Sequence, residues 1–244
     1  MRNLRAGVTL IEVLVAVSLV SLLSVGILMA IRVGLNALGK SNERLIANRR
    51  AVGAQRALEQ QIAGFLPANA ECQVMPNAPP VKIPFFQGEL TSMRFVSSYS
   101  MQEAWRGHAR IIEFQVIPGE GGRGVRLVVN EHLYTGPESA GFFCVGMAPD
   151  AEMGLPVPVF RPVEVGPRSF VIADNLAFCR FGYREVLKIP PFERWRPKWV
   201  FKEWPTAVRI DMAPLETDPS KLQPLSIMMP IRVNRNPLLL YDDR

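Results

Sequence analysis

Hydrophobic positions along this 244-residue chain follow one pattern near the start and a different one afterwards. Nineteen residues from Val13 to Ile31 include no charged side chain. As a helix they would measure roughly 28 Å, close to the hydrocarbon thickness of a bilayer, about 30 Å. A cleaved secretory signal is the alternative interpretation, but its apolar region usually has about 7–15 residues and ends at a small-residue cleavage site. The pattern therefore predicts a retained membrane-spanning helix.

The helical pattern continues beyond the apolar run. Residues 35–66 contain no proline and are rich in Ala, Arg, Gln, Glu and Leu, which favour helix, and Pro67 is expected to end it. Two apolar stripes lie on different faces, one at heptad spacing (Leu38, Leu45 and Val52) and one at i, i+4, i+7, i+8 (Leu58, Ile62, Phe65 and Leu66). We expect the first stripe to contact neighbouring subunits and the second to pack on the chain's own domain.

From residue 67 onward the pattern changes to short alternating runs between turn residues. The segment 67–84 has five prolines and is interpreted as a linker, and the loop 119–124 as a hairpin turn. Strands are predicted at 94–97, 110–117, 125–134, 141–145, 170–173, 176–186, 207–212 and 227–233. The predicted fold class is α+β, with a long N-terminal helix over 8–66 and an antiparallel, mostly β domain over 67–244.

Composition narrows the possible chemistry. Lysine and arginine exceed aspartate and glutamate by 28 to 22, an excess too small to indicate nucleic-acid binding without clustering. Three cysteines and two histidines leave little material for a metal site, and the glycine-rich loop lacks the ending of a phosphate-binding loop. We expect His108 and His132 to be surface residues and Asp242–Asp243 to be a solvated tail. The chain is accordingly expected to have no catalytic residue, no metal and no cofactor, and not to be an enzyme.

One segment, residues 192–204, interleaves aromatic and cationic side chains. Such a segment can bind single-stranded nucleic acid by stacking and phosphate contacts, or it can simply pack with cation–π contacts. We favour packing. Trp195, Trp199 and Trp204 are also candidates for an exposed aromatic surface that contacts a partner protein.

The residues before the apolar run form a specific pattern: a basic leader with Arg2 and Arg5, then Gly7, four uncharged residues, and Glu12. This order resembles the N-terminal signature of the type IV pilin and pseudopilin superfamily, although Val8 stands where that family most often has Phe. The resemblance implies that a membrane prepilin peptidase cuts between Gly7 and Val8 and then N-methylates Val8. It also implies that Glu12 serves assembly by facing the terminal ammonium of a neighbouring subunit. The leader would be residues 1–7, the transmembrane part 8–31 and the stalk 32–66.

Two further segments resemble one branch of the superfamily, the J-type minor pseudopilins of type II secretion. Residues 203–210 are similar to a characteristic strand of that branch, and residues 176–185 are similar to the strand that usually precedes it. Glu12 argues against the K-type, which usually lacks it, and the size of the domain argues against a major pseudopilin. The resemblance implies a tip subunit of the pseudopilus that assists protein export.

The expected partners are I- and K-type minor pseudopilins, the major subunit, the peptidase and the inner membrane, with the C-terminal domain in the periplasm and no nucleic acid. A minor pilin of a type IV pilus or competence system (W-type), in contact with DNA, is the alternative.

The distribution of positive charge opposes this orientation. Two arginines precede the apolar run, whereas five cations follow it within residues 32–50, and the positive-inside rule would place the larger group in the cytoplasm. We give more weight to the motif, because a cleavable leader and a carboxylate at this spacing have no use in the opposite topology.

The three cysteines all lie beyond the apolar helix, in an oxidising compartment if the domain is periplasmic. Cys144 and Cys179 have aromatic, strand-like surroundings, and we expect a disulfide between them. Cys72, in the predicted linker, is the alternative partner for either.

Overall fold

The structure, a computed structural model, describes residues 9–74, 78–103, 105–151, 154–216 and 224–232, apart from the side chains at positions 43, 44, 47, 48 and 50. It separates into two compact units, residues 1–48 and 49–244, which are described individually. The predicted tail Asp242–Asp243 lies outside the described residues.

The long helix α1 (Leu10–Ala63) begins where the Thr9 carbonyl accepts hydrogen bonds from the backbone N–H groups of Glu12 and Val13, at 3.1 and 3.3 Å. Residues 10–42 form a helix long and apolar enough to cross a membrane, with a mean hydropathy of 2.6 over an 18-residue window. Three serines within this stretch donate their hydroxyls to carbonyls one turn earlier, namely Ser18, Ser21 and Ser24. These three hydroxyls are thereby hydrogen-bonded inside the helix, as a lipid environment requires.

The helix ends at Ala63, so the predicted end at Leu66 before Pro67 is wrong. Gly64 still donates to the Gln60 carbonyl at 2.9 Å, but the next two residues form a strand paired with Val96 and Ser97. The chain passes so close to the sheet that a Cβ on Gly64 would lie 2.6 Å from Ser97 Oγ. Strand pairing at this close approach, rather than the proline, terminates the helix.

The domain consists mainly of antiparallel strands. In chain order they are β1 (Phe65–Leu66), β2 (Asn69–Cys72), β3 (Val81–Pro84), β4 (Gln87–Gly88), β5 (Ser92–Ser100), β6 (Trp105–Pro118), β7 (Val125–Leu133), β8 (Cys144–Pro149), β9 (Pro156–Phe160), β10 (Phe170–Val186), β11 (Glu193–Arg196), β12 (Ala207–Pro214) and β13 (Leu225–Pro230). Nine of them form one sheet in the order β1-β5-β6-β7-β10-β12-β13, with β4 paired to β5 and β11 to β10. The pairs β2–β3 and β8–β9 are separate hairpin-like sheets, and a short helix α2 (Pro137–Gly141) precedes β8.

Both faces of the main sheet are covered within this unit. On one face the end of α1 packs Leu58 and Ile62, both at most 2% exposed, against a core that includes Phe95, Phe114 and Phe181. Alternate residues of the same strands point to the other face, which is covered by α2, β2, β3, β8 and β9. The sheet therefore has a helix-side core and an outer core.

The predicted fold class is confirmed, since a long apolar helix is followed by a mostly antiparallel β domain. The strands predicted at 94–97, 110–117, 125–134, 207–212 and 227–233 correspond to β5, β6, β7, β12 and β13, and the loop 119–124 connects β6 to β7 as a hairpin.

Three details were predicted wrongly. The expected linker contains β2 and β3, the segment 141–145 divides between α2 and β8, and 170–186 is one strand in which Asn175 has a φ of +54°. The register of β10 against β7 shifts near this residue, so a bulge replaces the predicted break.

Candidate functional site

Glu12 lies in the first turn of α1, where the exposed backbone N–H groups favour a negative charge. Its neighbours Leu10, Ile11, Val13 and Leu14 are all more than half exposed in the single chain. No ion pair to Glu12 occurs within the described ranges. In an apolar environment an unpaired carboxylate would cost several kcal/mol.

The predicted cleavage and methylation residues, Gly7 and Val8, lie outside the described residues. The structure describes the helix that follows them, which begins at Leu10, only three residues after the predicted cleavage bond.

The aromatic segment 192–204 packs on the domain, which is the interpretation favoured from the sequence. Trp199 is 9% exposed and donates its indole N–H to the Glu203 carbonyl at 2.7 Å. The Trp204 ring packs edge-on against Phe65 at 5.6 Å, and the Arg209 guanidinium lies 4.8 Å from the Trp195 ring. The expectation that these tryptophans form an exposed aromatic surface is wrong, because Trp199 is buried and Trp195 and Trp204 are only partly exposed.

Two of the four cations in the same segment are held by carboxylates. Arg196 donates to Glu185 at 2.7 Å, and Lys198 lies 2.7 Å from Asp150, whose side chain is 4% exposed. Arg194 and Lys202 remain exposed. The arrangement does not favour a phosphate-binding surface, because a bound strand would have to compete with these internal ion pairs.

A buried ion pair that was not predicted from the sequence joins β5 and β6 on the outer face of the sheet. The side chains of Arg94 and Glu113 are 1% and 4% exposed, and two guanidinium nitrogens approach Glu113 Oε1 at 2.5 and 2.6 Å. Arg94 also donates to the Gln87 side chain at 2.5 Å and to the Arg161 carbonyl at 3.0 Å. Both charged groups of this pair are therefore hydrogen-bonded. The signal available in the sequence was the position of Arg94 and Glu113 at alternate sites within otherwise apolar strands.

The second carboxylate oxygen of Glu113 is also occupied. Asn130 Nδ2 donates to it at 3.2 Å and His132 Nε2 lies 2.8 Å away. Burial alone would raise the pKa of Glu113, but the hydrogen bond from His132 and the charge of Arg94 outweigh it and hold that pKa below its ordinary value of 4.5. His132 is exposed, as predicted, with 45% of its side chain accessible, and its Nε2 also belongs to this network. His108 is exposed, as predicted.

The network attaches the outer layer of the domain to the sheet. The Arg94 guanidinium lies 4.9 Å from the Phe143 ring and 5.6 Å from the Phe160 ring. Phe143 precedes β8, and Phe160 is the last residue of β9. Asn130 donates to the Glu164 carbonyl at 2.8 Å. Charge pairing and cation–π contact thus fix a layer that has few aliphatic side chains of its own.

The disulfide joins Cys72 of β2 to Cys144 of β8, with the Cα atoms 5.5 Å apart. The predicted pairing of Cys144 with Cys179 is wrong, because the main sheet separates the two side chains. Cys144 belongs to the outer core and Cys179 to the helix-side core. Cys179 is a buried free thiol, and burial, with a smaller effect from Asp211, raises its pKa to about 12.

Comparison with known protein families finds one match, a prokaryotic N-terminal methylation motif that covers residues 2–28. No curated protein matches the chain significantly. The matched segment includes the basic leader, Gly7, Glu12 and most of the apolar run. The motif supports a type IV pilin-like protein. Together with the apolar helix, the motif suggests a structural protein with a single membrane anchor.

Proposed function

We propose that the chain is a minor pseudopilin, a structural subunit at the tip of the type II secretion pseudopilus that assists protein export across the outer membrane. The methylation motif at residues 2–28 and the apolar helix support the pilin-like part of this proposal. In it, prepilin peptidase removes residues 1–7 and methylates Val8.

The pairing of β10 with β12 is the observation that carries the J-type assignment. The two segments that resemble this branch, residues 176–185 and 203–210, meet in the main sheet where β10 pairs with β12. Tyr183 is opposite Val208, and Phe181 is opposite Ile210. Their side chains enter the helix-side core together, so the resemblance covers one packed unit rather than two unrelated short matches.

The disulfide supports a periplasmic domain. Structural disulfides persist in oxidising compartments and are rare in the cytosol. A bond between Cys72 and Cys144 therefore favours the orientation that the motif implies over the one that the positive-inside rule predicts. In this orientation the helix is held in the inner membrane, and the carboxylate of Glu12 pairs with the terminal ammonium of a neighbouring subunit.

The test is co-purification of the full chain with I- and K-type minor pseudopilins and the major subunit from co-expressing membranes. We expect a stable complex and, in cells that lack the chain, loss of protein export. A chain that forms no such complex, and whose absence abolishes pilus-dependent DNA uptake instead, would refute the proposal and favour a W-type minor pilin. Salt-dependent DNA binding by the purified chain would point the same way.

A further inference from the structure

The turn between β10 and β11 concentrates exposed apolar side chains. We call residues 186–192, with the sequence Val-Leu-Lys-Ile-Pro-Pro-Phe, the hairpin tip. Val186, Ile189 and Phe192 are 62%, 71% and 60% exposed. Among the described residues of the compact unit 49–244, Phe142 is the one other large apolar side chain that is at least 60% exposed. Single exposed apolar residues are ordinary, but three within seven residues mark a contact surface.

The backbone of the hairpin tip is largely hydrogen-bonded to itself. The Leu187 N–H donates to the Phe192 carbonyl at 2.7 Å, and the Phe192 N–H donates to the Ile189 carbonyl at 2.9 Å. Pro190 and Pro191 have no N–H group. Four of the six residues from 187 to 192 therefore need no outside acceptor for a backbone N–H. An unpaired backbone group is costly in an apolar environment, so this pairing suits the tip to enter one.

The conformation of Phe192 also indicates a contact surface. Its φ is +63°, in the left-handed region that bulky side chains rarely adopt. Strain of this kind persists where the surrounding structure holds it, and it is concentrated at functional sites. It does not serve either core of the domain, because the Phe192 side chain is exposed and belongs to neither. The strained residue instead presents an aromatic ring to the outside.

Two exposed cations border the hairpin tip. Residues 184–196 carry four cations and two carboxylates, and each carboxylate is paired with one cation, at 2.7 and 3.6 Å. The other two cations, Lys188 and Arg194, form no ion pair with a described residue. Arg194 lies opposite Glu185, next to the last paired position of the hairpin. At a rise of about 3.3 Å per residue, both cations are within several ångströms of the apolar side chains.

We propose that the hairpin tip inserts into a bilayer surface that contains anionic phospholipid, with Lys188 and Arg194 at the headgroups. On such a surface, burial of apolar side chains and attraction of cations add to each other. The long apolar stem of Lys188 lets its ammonium stay at headgroup level while Ile189 lies deeper. A cleft in a protein fits less well, because protein interfaces carry many hydrogen bonds and Lys188 is the one polar side chain of the tip. This binding site goes beyond the proposed function and does not depend on it.

The experiment uses the full chain in nanodiscs of phosphatidylcholine, mixed with separate vesicles of phosphatidylcholine alone or with phosphatidylglycerol. Flotation of the vesicles measures binding. One cation near an anionic surface strengthens binding by about fivefold, so two predict binding about 25-fold tighter to the phosphatidylglycerol vesicles. We expect this preference to weaken as salt is raised.

A polarity-sensitive dye on an Ile189→Cys variant measures insertion. The label is selective, because Cys179 is buried and the other two cysteines form the disulfide. Its emission should shift to shorter wavelength with the phosphatidylglycerol vesicles. The same dye on a Phe142→Cys variant, at an equally exposed apolar position elsewhere, should not shift.

Charge reversal distinguishes the proposal from a loss of folding. Lys188→Glu/Arg194→Glu should bind vesicles that contain a cationic lipid in preference to phosphatidylglycerol vesicles, a gain that misfolding cannot imitate. The matched control Arg123→Glu/Arg168→Glu makes the same charge change on exposed residues elsewhere and should bind as the unaltered chain does.

Removal of the apolar side chains tests the other half of the surface. Ile189→Ser/Phe192→Ser should weaken binding to phosphatidylglycerol vesicles by at least about tenfold, because two large apolar side chains no longer leave water. The control Val145→Ser/Met228→Ser changes two side chains that are each 56% exposed and should have no effect.

The inference would be overturned by equal binding to both kinds of vesicle, by an unshifted dye at position 189, or by an equal change in either control variant. Loss of protein export in Ile189→Ser/Phe192→Ser, without vesicle binding by the unaltered chain, would also overturn it and would indicate a protein cleft as the partner.

Discussion

Replacing Glu113 with Gln tests whether the buried ion pair holds the outer layer to the sheet. The substitution preserves shape and an acceptor for Asn130, but it leaves the Arg94 guanidinium, 1% exposed, without a counter-charge. Removing one partner of a buried pair costs about 3–5 kcal/mol. At about 2–4 °C per kcal/mol for a domain of this size, a loss of about 3 kcal/mol lowers the melting temperature by about 6–12 °C.

The matched control is Asp174→Asn, which breaks a surface pair. The charged groups of Arg126 and Asp174 lie 2.9 Å apart, but their side chains are 21% and 36% exposed. We therefore expect this substitution to lower the free energy of unfolding by at most about 1 kcal/mol. The double variant Arg94→Met/Glu113→Gln removes the stranded charge and should be more stable than Glu113→Gln alone. Urea unfolding of the full chain in detergent, followed by tryptophan fluorescence, measures all four proteins.

The loss of stability caused by Glu113→Gln should also depend on pH. Because the pKa of Glu113 is lowered in the folded protein, its stabilisation is present above the ordinary value of 4.5 and is lost as pH falls through the folded pKa. Glutamine does not titrate, so the difference in unfolding free energy between the two proteins should narrow below about pH 4.5. The reasoning would be refuted if Glu113→Gln lowered the free energy of unfolding no more than Asp174→Asn does. It would also be refuted if the difference in unfolding free energy between Glu113→Gln and the unaltered chain stayed constant down to low pH.

Three further predictions concern the cross-link and the N-terminus. Replacing Cys72 and Cys144 with Ala opens a loop spanning 72 positions and should lower the free energy of unfolding by about 2–4 kcal/mol. Reductant should have no further effect on the stability of this variant. A Cys144–Cys179 peptide in a non-reducing digest of the unaltered chain would contradict the pairing. The intact mass of membrane-extracted protein should show the loss of the first seven residues and the gain of one methyl group, so a mature chain that retains Met1 beside an active peptidase would refute the processing. Glu12→Ala should leave insertion and cleavage unchanged but reduce cross-linking to neighbouring pilin-like subunits, with Thr9→Ala, three residues earlier, as the control; unaltered cross-linking and export would count against the proposed assembly role.

The sequence was most informative where one local pattern decides the structure. An uncharged run of nineteen residues indicates a membrane helix, and alternation such as that of Ile112, Phe114 and Val116 identifies β6 because only a strand places these side chains on one face. The leader motif likewise depends on residues adjacent in sequence, and it is the part of the candidate site that the family comparison supports.

Prediction was wrong where distant segments meet. The helix ends at Ala63 because strand β1 finds a partner in β5, about thirty residues away, and no local signal shows that pairing. The cysteine pairing depends on which side of the sheet each strand residue faces. Alternation alone tells that Cys179 shares a face with Phe181, but it does not tell which face that is. Arg94 and Glu113 could be suspected only as charges in apolar strands.

The last turns of α1 limit how the domain can be isolated. Leu58 and Ile62 fill the helix-side core, so a soluble fragment that begins at the end of the helix would expose Phe95 and Phe181 to water. Such a fragment should aggregate, whereas one that begins near Arg49 retains the whole compact unit. For the same reason, a protease that cuts the helix between the membrane and Arg49 should release a folded domain, while a cut nearer Ala63 should destroy it.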